Sequence, residues 1–222
     1  MSANQPIIDN IRTSYDRVAD AYAAAIFDEL KDKPFDRDVL QRFARETGGG
    51  TVCDLGCGPG QVARFLQEAG ANVFGLDLSS GMVAEARRLN PGIEFREGDM
   101  LSLPLADASL AGITAFYAIV NLPAGLRPQV FREMARVLQP GGLLLLTFHI
   151  GGEVLGVKEL WGRPITMDFY TLDRAAILGE LEAACFVIEE CLERGPYPPP
   201  VEHQSRRAYV FARKPSRPSH PA

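Results

Sequence analysis

One short segment constrains the fold of this chain more than any other: TVCDLGCGPG at residues 51–60. Its first residues are apolar or β-branched, as in a strand that is covered on both faces of a sheet. Gly56, Gly58 and Gly60 follow at alternate positions, so the backbone can turn sharply and a ligand can lie against it. Apolar residues then recur with helical spacing over residues 62–69. The segment predicts a strand, a glycine turn and a helix, the unit that holds a nucleotide in an open α/β sheet.

The spacing of the glycines narrows the choice of ligand. Dinucleotide sites have the pattern G-x-G-x-x-G, whereas this turn has G-x-G-x-G with Asp54 two residues before the first glycine. This difference argues against a pyrophosphate bound at the helix N-terminus. It favours a ligand that carries an amino-acid end and a ribose.

The heptapeptide D-L-G-C-G-P-G at residues 54–60 resembles the first motif of the class I S-adenosylmethionine-dependent methyltransferases. The resemblance extends from about Tyr15 to Lys214, and L-Q-P-G-G-L-L-L-L at residues 138–146 resembles a late structural motif of that family. It implies an α/β fold with a Rossmann-like, seven-stranded, mostly parallel sheet, an antiparallel last strand, helices on both faces and an N-terminal helical cap. It also implies S-adenosyl-L-methionine as cofactor and S-adenosyl-L-homocysteine as product.

Three parts of the chain are expected. Residues 1–47 form the helical cap, residues 48–214 form the core with a substrate-side insertion at about 150–170, and residues 215–222 form a disordered tail. Core strands after the first are predicted at residues 72–78, 93–97, 110–116, 143–148, 186–194 and 204–214. Pro140, Gly141 and Gly142 are expected to end the helix before residue 143.

The next prediction concerns the caps at the two ends of the last helix. Thr171 is expected to cap its start, and the helix is expected to reach Ala184. Family members often place glycine after this helix, whereas this chain has Cys185 there. Because a left-handed cysteine costs about 1–2 kcal/mol, we expect a cap of altered geometry.

The resemblance implies a set of cofactor-binding residues, many of which follow a predicted strand. Asp77 ends the second strand and is placed to accept hydrogen bonds from both ribose hydroxyls, with Leu78 as an apolar wall for the adenine. Asp99, or the amide of the next residue, holds the adenine amino group in the family; the alternative is a turn aspartate. The full predicted set is Tyr15, Tyr22, Asp54, Gly56, Cys57, Gly58, Gly60, Asp77, Leu78, Met82, Asp99, Met100 and Phe116.

Two tyrosines of the first helix have two interpretations. Tyr15 and Tyr22 lie two turns apart and face the same way. They are either core contacts or, as the resemblance implies, part of a cap over the cofactor.

Ser79 and Ser80 are expected to supply the N-cap of the helix after Asp77.

The catalytic and substrate-binding candidates are expected at the edge of the sheet where the parallel strands end, as are the cofactor-binding residues. His149 stands at the tip of the fifth strand, either to orient or deprotonate a substrate or as a plain polar residue at a strand end. Tyr117 is the second catalytic candidate, with half-buried packing as its alternative. Predicted substrate contacts are Asn121, Trp161, Tyr197 and His203. The insertion that holds Trp161 is interpreted as a substrate-facing lid or as a peripheral β-element.

Composition excludes some partners. The 222 residues fit one domain, and the net charge of −5 disfavours nonspecific binding to nucleic acid. Residues 116–121 read FYAIVN, so the N-P-P-Y-type tetrapeptide of amino-methylating DNA enzymes is absent. No apolar run approaches the ~20 residues of a membrane helix, and we expect a cytoplasmic monomer or homodimer. The four cysteines lack metal-site spacing and are interpreted as reduced thiols, so no metal is predicted.

The sequence therefore favours a methyltransferase that moves a methyl group from S-adenosylmethionine to oxygen or nitrogen of a small molecule by in-line displacement. One alternative is a catalytically silent module that binds the same cofactor. An NAD(P)-dependent oxidoreductase is a weaker alternative, because the glycine spacing differs and an S-x-x-x-Y-x-x-x-K set is missing.

Overall fold

The computed structural model describes residues 4–216. Residues 215–222 are predicted to form a disordered tail, and residues 217–222 of it lie outside the described residues. In the described part, the helices are α1 (Gln5–Ile26), α2 (Pro34–Glu46), α3 (Gln61–Glu68), α4 (Ser80–Leu89), α5 (Arg127–Val137) and α6 (Arg174–Ala183). The strands are β1 (Thr51–Leu55), β2 (Asn72–Asp77), β3 (Glu94–Glu97), β4 (Leu110–Phe116), β5 (Leu138–His149), β6 (Val154–Leu160), β7 (Arg163–Tyr170), β8 (Val187–Arg194) and β9 (Arg207–Arg213).

Seven of these strands form one sheet in the order β3-β2-β1-β4-β5-β9-β8. The pairs from β3 to β5 are parallel, whereas β9 runs antiparallel to both β5 and β8. The predicted mostly parallel sheet with an antiparallel last strand is confirmed. Because the carboxyl ends of the parallel strands meet at one edge, residues that follow β1, β2 and β4 come together there.

The interior strand β5 shows why helices cover both faces of the sheet. Successive side chains of a strand point to opposite faces, and those of β5 enter two separate cores. Leu144 packs in a core with Phe131 of α5, whereas Leu145 packs in another with Phe43 of α2. Both leucines are fully buried. An apolar run such as LLLL is therefore required by two-sided burial.

The start of β5 departs from the prediction. Pro140, Gly141 and Gly142 do not end α5; they lie inside the strand, which begins at Leu138. The pairing with β4 shifts register between Leu110 and Gly112, and Gly141 has a φ of 81°. A β-bulge absorbs the extra residues, so the strand continues through a sequence that is typical of a turn.

Both ends of α6 differ from expectation. Asp173, not Thr171, is the N-cap: its side chain accepts a hydrogen bond of 2.8 Å from the Ala176 N–H. Thr171 Oγ1 instead accepts from the Glu153 N–H. The altered cap expected at Cys185 is also wrong, because Cys185 adopts a left-handed φ of 68°.

The backbone bonds around Cys185 explain why this conformation persists. The Cys185 N–H donates to the Glu182 carbonyl and the Phe186 N–H donates to the Leu181 carbonyl, which is the Schellman pattern. Two carbonyls at the helix end thus gain hydrogen-bond donors, while the backbone of Cys185 adopts a strained conformation.

The insertion is an antiparallel β-hairpin. β6 pairs with β7, and β7 packs against α1. Asn10 of α1 donates to the Thr166 carbonyl, and Arg163 pairs with Asp20 at 2.6 Å. The insertion is thus a β-element that packs on α1, and its role as a substrate-facing lid stays a prediction.

Candidate active site

A cavity lies above the glycine turn, between α1 and the segments that follow β1 to β4. It is lined by Ile8, Ile11, Tyr15, Tyr22, Gly56, Cys57, Gly58, Gln61, Asp77, Leu78, Met82, Asp99, Met100, Phe116, Tyr117, Ala118, Asn121 and Leu122. All predicted cofactor residues except Asp54 and Gly60 are in this set. The topology of the sheet thus gathers residues that are far apart in the sequence.

Only glycine suits two positions of the turn. Gly56 has a φ of 70°, and a Cβ there would lie 2.6 Å from the Ala118 Cβ. Gly58 has a φ of 52° and faces the Tyr22 ring. Because both positions lie in the left-handed region and the turn approaches the loop after β4, any other residue would strain or displace the cavity wall.

Asp77 holds its carboxylate at the cavity through two backbone donors. The N–H groups of Gly58 and Ser79 each donate to it at 2.9 Å. Burial raises the pKa of Asp77, and these hydrogen bonds oppose the rise because they favour the charged form. Ser79 also accepts from the Met82 N–H at 3.1 Å, which confirms it as the N-cap of α4.

Aromatic side chains of α1 cover the cavity. The Tyr15 hydroxyl donates to Asn121 Oδ1 at 2.7 Å, and its ring meets Tyr22 edge-on at 6.0 Å. Tyr22 in turn meets Trp161 of the hairpin tip edge-on at 5.1 Å. Burial raises the pKa values of Tyr15 and Tyr22, so both hydroxyls remain protonated at neutral pH.

The tyrosines also limit the space. The cavity has a volume of about 90 Å³, whereas small-molecule pockets usually measure about 300–1,000 Å³. With the two tyrosine rings in this position, the cavity is therefore smaller than a usual small-molecule site.

Gln61 is a lining residue that the sequence analysis missed. Its Nε2 donates to Glu29 Oε1 at 3.1 Å, while its buried Oε1 has no hydrogen-bond partner among the described residues. A buried acceptor without a donor is costly, so this oxygen is suited to a ligand N–H. The available signal was its position directly after the last glycine. Ile8, Ile11, Ala118 and Leu122 were also missed, and apolar periodicity does not separate such cavity residues from core residues.

Two predicted cofactor residues lie elsewhere. Asp54 is 1% exposed, and its carboxylate accepts from Thr114 Oγ1 at 2.9 Å and from the Ala63 N–H at 3.1 Å. Burial raises the pKa of Asp54 to about 7. It ties β1 to β4 and α3 beneath the turn. Gly60 is required by packing, because a Cβ there would lie 2.7 Å from Asn90 Nδ2.

Tyr117 lines the cavity with its ring but does not offer a base. Its hydroxyl lies 3.3 Å from that of Tyr209, and burial together with Tyr209 and Asp36 raises its pKa. The backbone has a φ of 56°, and the Tyr117 N–H donates to Thr147 Oγ1. Tyr117 is therefore half-buried in the cavity wall, and its catalytic role stays a prediction.

His149 stacks against Tyr117 with ring centroids 4.8 Å apart. Its Nδ1 lies 2.7 Å from Ser205 Oγ. Burial, aided by the nearby Arg207 and His203, lowers the pKa of His149 to about 4. The ring is therefore neutral at pH 7 and is suited to accept a hydrogen bond.

The remaining predicted substrate contacts separate into two groups. Asn121 lines the cavity, and His203 meets His149 edge-on at 6.0 Å. The Tyr197 hydroxyl instead accepts from the Phe35 N–H at the start of α2. Trp161 is 43% exposed and does not line the cavity. Neither Tyr197 nor Trp161 lines the cavity, although Trp161 packs on Tyr22, which does, and their substrate contacts stay predictions.

The sheet, the glycine turn and the carboxylate at the end of β2 define a Rossmann-like domain, a class in which ligands bind at the carboxyl ends of the strands. Within residues 4–216, no cluster of His, Cys, Asp and Glu side chains is arranged to hold a metal ion. In the same range, no helix is long and apolar enough to cross a membrane.

Comparison with known proteins identifies a domain that the chain shares with methyltransferases. Residues 52–142 match the model of a methyltransferase domain. A protein of Mycolicibacterium smegmatis described as a probable S-adenosylmethionine-dependent methyltransferase is 33% identical over 162 residues, 69% of this chain and 58% of the relative. A 2-phytyl-1,4-naphtoquinone methyltransferase of Thermosynechococcus vestitus is 34% identical over 148 residues, 64% of this chain and 62% of the relative. The chain thus spans less than two thirds of these relatives.

A solved structure agrees in fold over nearly the whole chain. The complex of DhpI with S-adenosylhomocysteine has a TM-score of 0.71 at 21% identity and covers 95% of this chain and 98% of that one. Residues 52–142 therefore carry a methyltransferase domain, and the Mycolicibacterium smegmatis relative is described as dependent on S-adenosylmethionine.

The residues of the cavity fit this cofactor. Asp77 supplies a carboxylate for ribose hydroxyls, and the unpartnered Gln61 Oε1 supplies an acceptor for an ammonium group. The glycine turn offers main chain without side chains, and Tyr15 and Tyr22 supply aromatic walls that favour a cation. When bound, the cofactor supplies an electrophilic methyl group on a positively charged sulfur.

Proposed function

We propose that this chain transfers a methyl group from S-adenosylmethionine to oxygen or nitrogen of a small-molecule acceptor. The observation that carries the proposal is the Asp77 carboxylate, which is fixed at the cavity by the N–H of the glycine turn at Gly58. Relatives with the same domain include a methyltransferase named for a quinone, which supports a small-molecule acceptor. The net charge of −5 supports an acceptor other than nucleic acid.

In the proposed reaction, the acceptor's lone pair forms a bond to the methyl carbon as the carbon–sulfur bond breaks. The electron pair of the broken bond stays on sulfur, which becomes neutral, and the acceptor releases its proton to solvent or through His149. The chain contributes alignment and exclusion of water, since α1 and its tyrosines cover the cavity. Tyr15, Tyr22, Gly56, Gly58, Gln61 and Asp77 are proposed to hold the cofactor.

Calorimetry with S-adenosylhomocysteine, followed by labelled S-adenosylmethionine with a panel of phenols and amines, tests the proposal. We expect binding of the nucleoside and transfer of label to at least one acceptor. Binding without transfer to any compound of a cell extract would favour the silent module. Binding of NADH in place of S-adenosylhomocysteine would refute the proposal.

A further inference from the structure

A second cavity of about 320 Å³ lies beneath the β6–β7 hairpin. Its volume falls at the lower end of the range of about 300–1,000 Å³ that is typical of small-molecule sites. The hairpin contributes Leu155, Val157, Leu160 and Phe169, and the loop after β4 contributes Val120. A wall of aliphatic and aromatic carbon favours an apolar ligand.

The hairpin is shaped to present this wall. Leu155 and Val157 alternate along β6 and point to one face. A register shift between Val157 and Glu159 then returns Leu160 to the same face. Leu155 is 43% exposed although it is apolar, whereas its pairing partner Phe169 also lines the cavity. Partial exposure of lining leucine is consistent with an open binding site.

Charge is absent from the wall. No Lys, Arg, Asp or Glu side chain is among the residues that line this cavity, all of which lie in the described part of the chain. A charged ligand would therefore lose its hydration without an ion pair to a lining residue. The two histidines that line the cavity, His149 and His203, meet at one end, and Tyr170 and Thr171 are the lining residues with hydroxyl groups. Ser205 occupies Nδ1 of His149, so Nε2 is the ring atom that remains for a ligand.

The second cavity adjoins the first through one shared wall. The Tyr117 ring lines the cofactor cavity and stacks on His149, which lines the second. In the same loop, Val120 lines the second cavity and the adjacent Asn121 lines the first. A molecule held beneath the hairpin therefore has its polar end next to the cofactor cavity.

We propose that the second cavity binds the methyl acceptor, and that the acceptor is an uncharged, mainly apolar compound with one hydroxyl or amine at the His149 end. This inference rests on the proposed function, because only a methyl-transferring chain needs an acceptor site beside the cofactor. The hairpin supplies the specificity for an apolar body. His149 orients the nucleophilic group.

Calorimetry with 2-naphthol and naphthalene-2-sulfonate as probes tests the inference. We expect wild-type protein to bind 2-naphthol at least about tenfold more tightly than the sulfonate, because the wall offers the anion no partner. Leu155→Asp should weaken 2-naphthol binding at least about tenfold by placing a charge in the wall. Val154→Asp is the matched control: Val154 is the neighbouring strand residue, is 56% exposed and does not line the cavity. The affinity of Val154→Asp for 2-naphthol should stay within about twofold of wild type, since the side chain at position 154 points to the other face of the hairpin.

S-adenosylhomocysteine binding to each variant separates the two proposals and shows that each variant folds. Normal binding of the nucleoside with no binding of 2-naphthol would overturn the acceptor site and leave the proposed function intact. Equal affinities for naphthol and sulfonate, or equal losses in Leu155→Asp and Val154→Asp, would also overturn it. Binding of 2-naphthol without S-adenosylhomocysteine would support the apolar site and overturn the proposed function.

Discussion

The carboxylate of Asp77 accepts a hydrogen bond of 2.9 Å from the backbone N–H of Gly58. This contact joins the end of β2 to the turn after β1. It places a hydrogen-bond acceptor and a side-chain-free stretch of main chain on the same wall of the cavity. The hydrogen bond therefore fixes the separation of these two features of the wall.

Replacing Asp77 tests the ribose contact directly. Asp77→Ala should weaken S-adenosylhomocysteine binding by about 2 kcal/mol, or roughly 30-fold in Kd, because charge-assisted hydrogen bonds are lost. Calorimetry measures the change. Glu97→Ala is the control, since Glu97 is an exposed acid at the end of the adjacent strand β3. An affinity of Asp77→Ala equal to that of the control would exclude the assignment.

Gln61 carries a buried acceptor that lacks a donor within the described structure. Gln61→Leu should weaken S-adenosylhomocysteine binding by about 1–2 kcal/mol if this oxygen accepts from the ligand's ammonium group. Titration calorimetry at matched pH provides the measurement. Gln67→Leu is the control on the exposed side of the same helix. Unchanged binding in Gln61→Leu would show that Gln61 Oε1 does not accept a hydrogen bond from the ligand.

Asp54 predicts a pH dependence of stability. Its pKa is about 7 in the folded protein, above the ordinary value of about 3.9. The folded state therefore binds this proton more tightly, and the stabilisation is complete below about pH 4 and is lost as the pH rises towards 7.

Asp54→Asn reproduces the neutral acid and removes the titration. The free energy of unfolding of wild type, measured relative to this variant, should fall between pH 4 and 7 by up to roughly 4 kcal/mol, at about 1.4 kcal/mol for each pKa unit. Urea titrations across this pH range supply the values. Asp107→Asn, with a side chain 78% exposed, should leave the pH profile unchanged. Parallel profiles for wild type and Asp54→Asn would contradict the raised pKa.

Cys185 offers a route to higher stability. Its φ of 68° strains a side-chain-bearing residue, and glycine relieves about 1–2 kcal/mol of that strain while it adds flexibility to the unfolded chain. We expect Cys185→Gly to raise the free energy of unfolding by about 0.5–1 kcal/mol. Ala184→Gly, at a φ of −87°, should lower it by a similar amount. Denaturant melting that shows both variants destabilised would refute the strain at Cys185.

Local pattern was sufficient for much of the sheet and for part of the site. Alternating glycines after an apolar strand predicted the turn, and the apolar run of β5 predicted a strand buried on both faces. These features depend on neighbours in the sequence, where sterics and hydrophobic burial act at short range. The cap of α6 was misplaced at Thr171 because several residues there are competent caps, and packing selects Asp173 among them.

Tertiary structure alone decided the direction of individual side chains. Asp54 and Asp77 are both acids near strand ends, yet only Asp77 lines the cavity, because Asp54 is enclosed by α3 and β4. Tyr117 and Tyr197 are both aromatic residues on the predicted rim, yet their hydroxyls bind Tyr209 and the Phe35 N–H. These contacts form between residues that are distant in the chain.

The amino-acid sequence thus determined the fold class, the glycine turn and the family of cofactor, since each follows from short-range backbone preference and burial. The second cavity, the neutral His149 and the unpartnered Gln61 oxygen were decided only when the hairpin, the last strands and the first helices packed on the sheet. Burial and long-range contacts set the charge state and the accessibility of a side chain, and no sequence pattern of single residues encodes them.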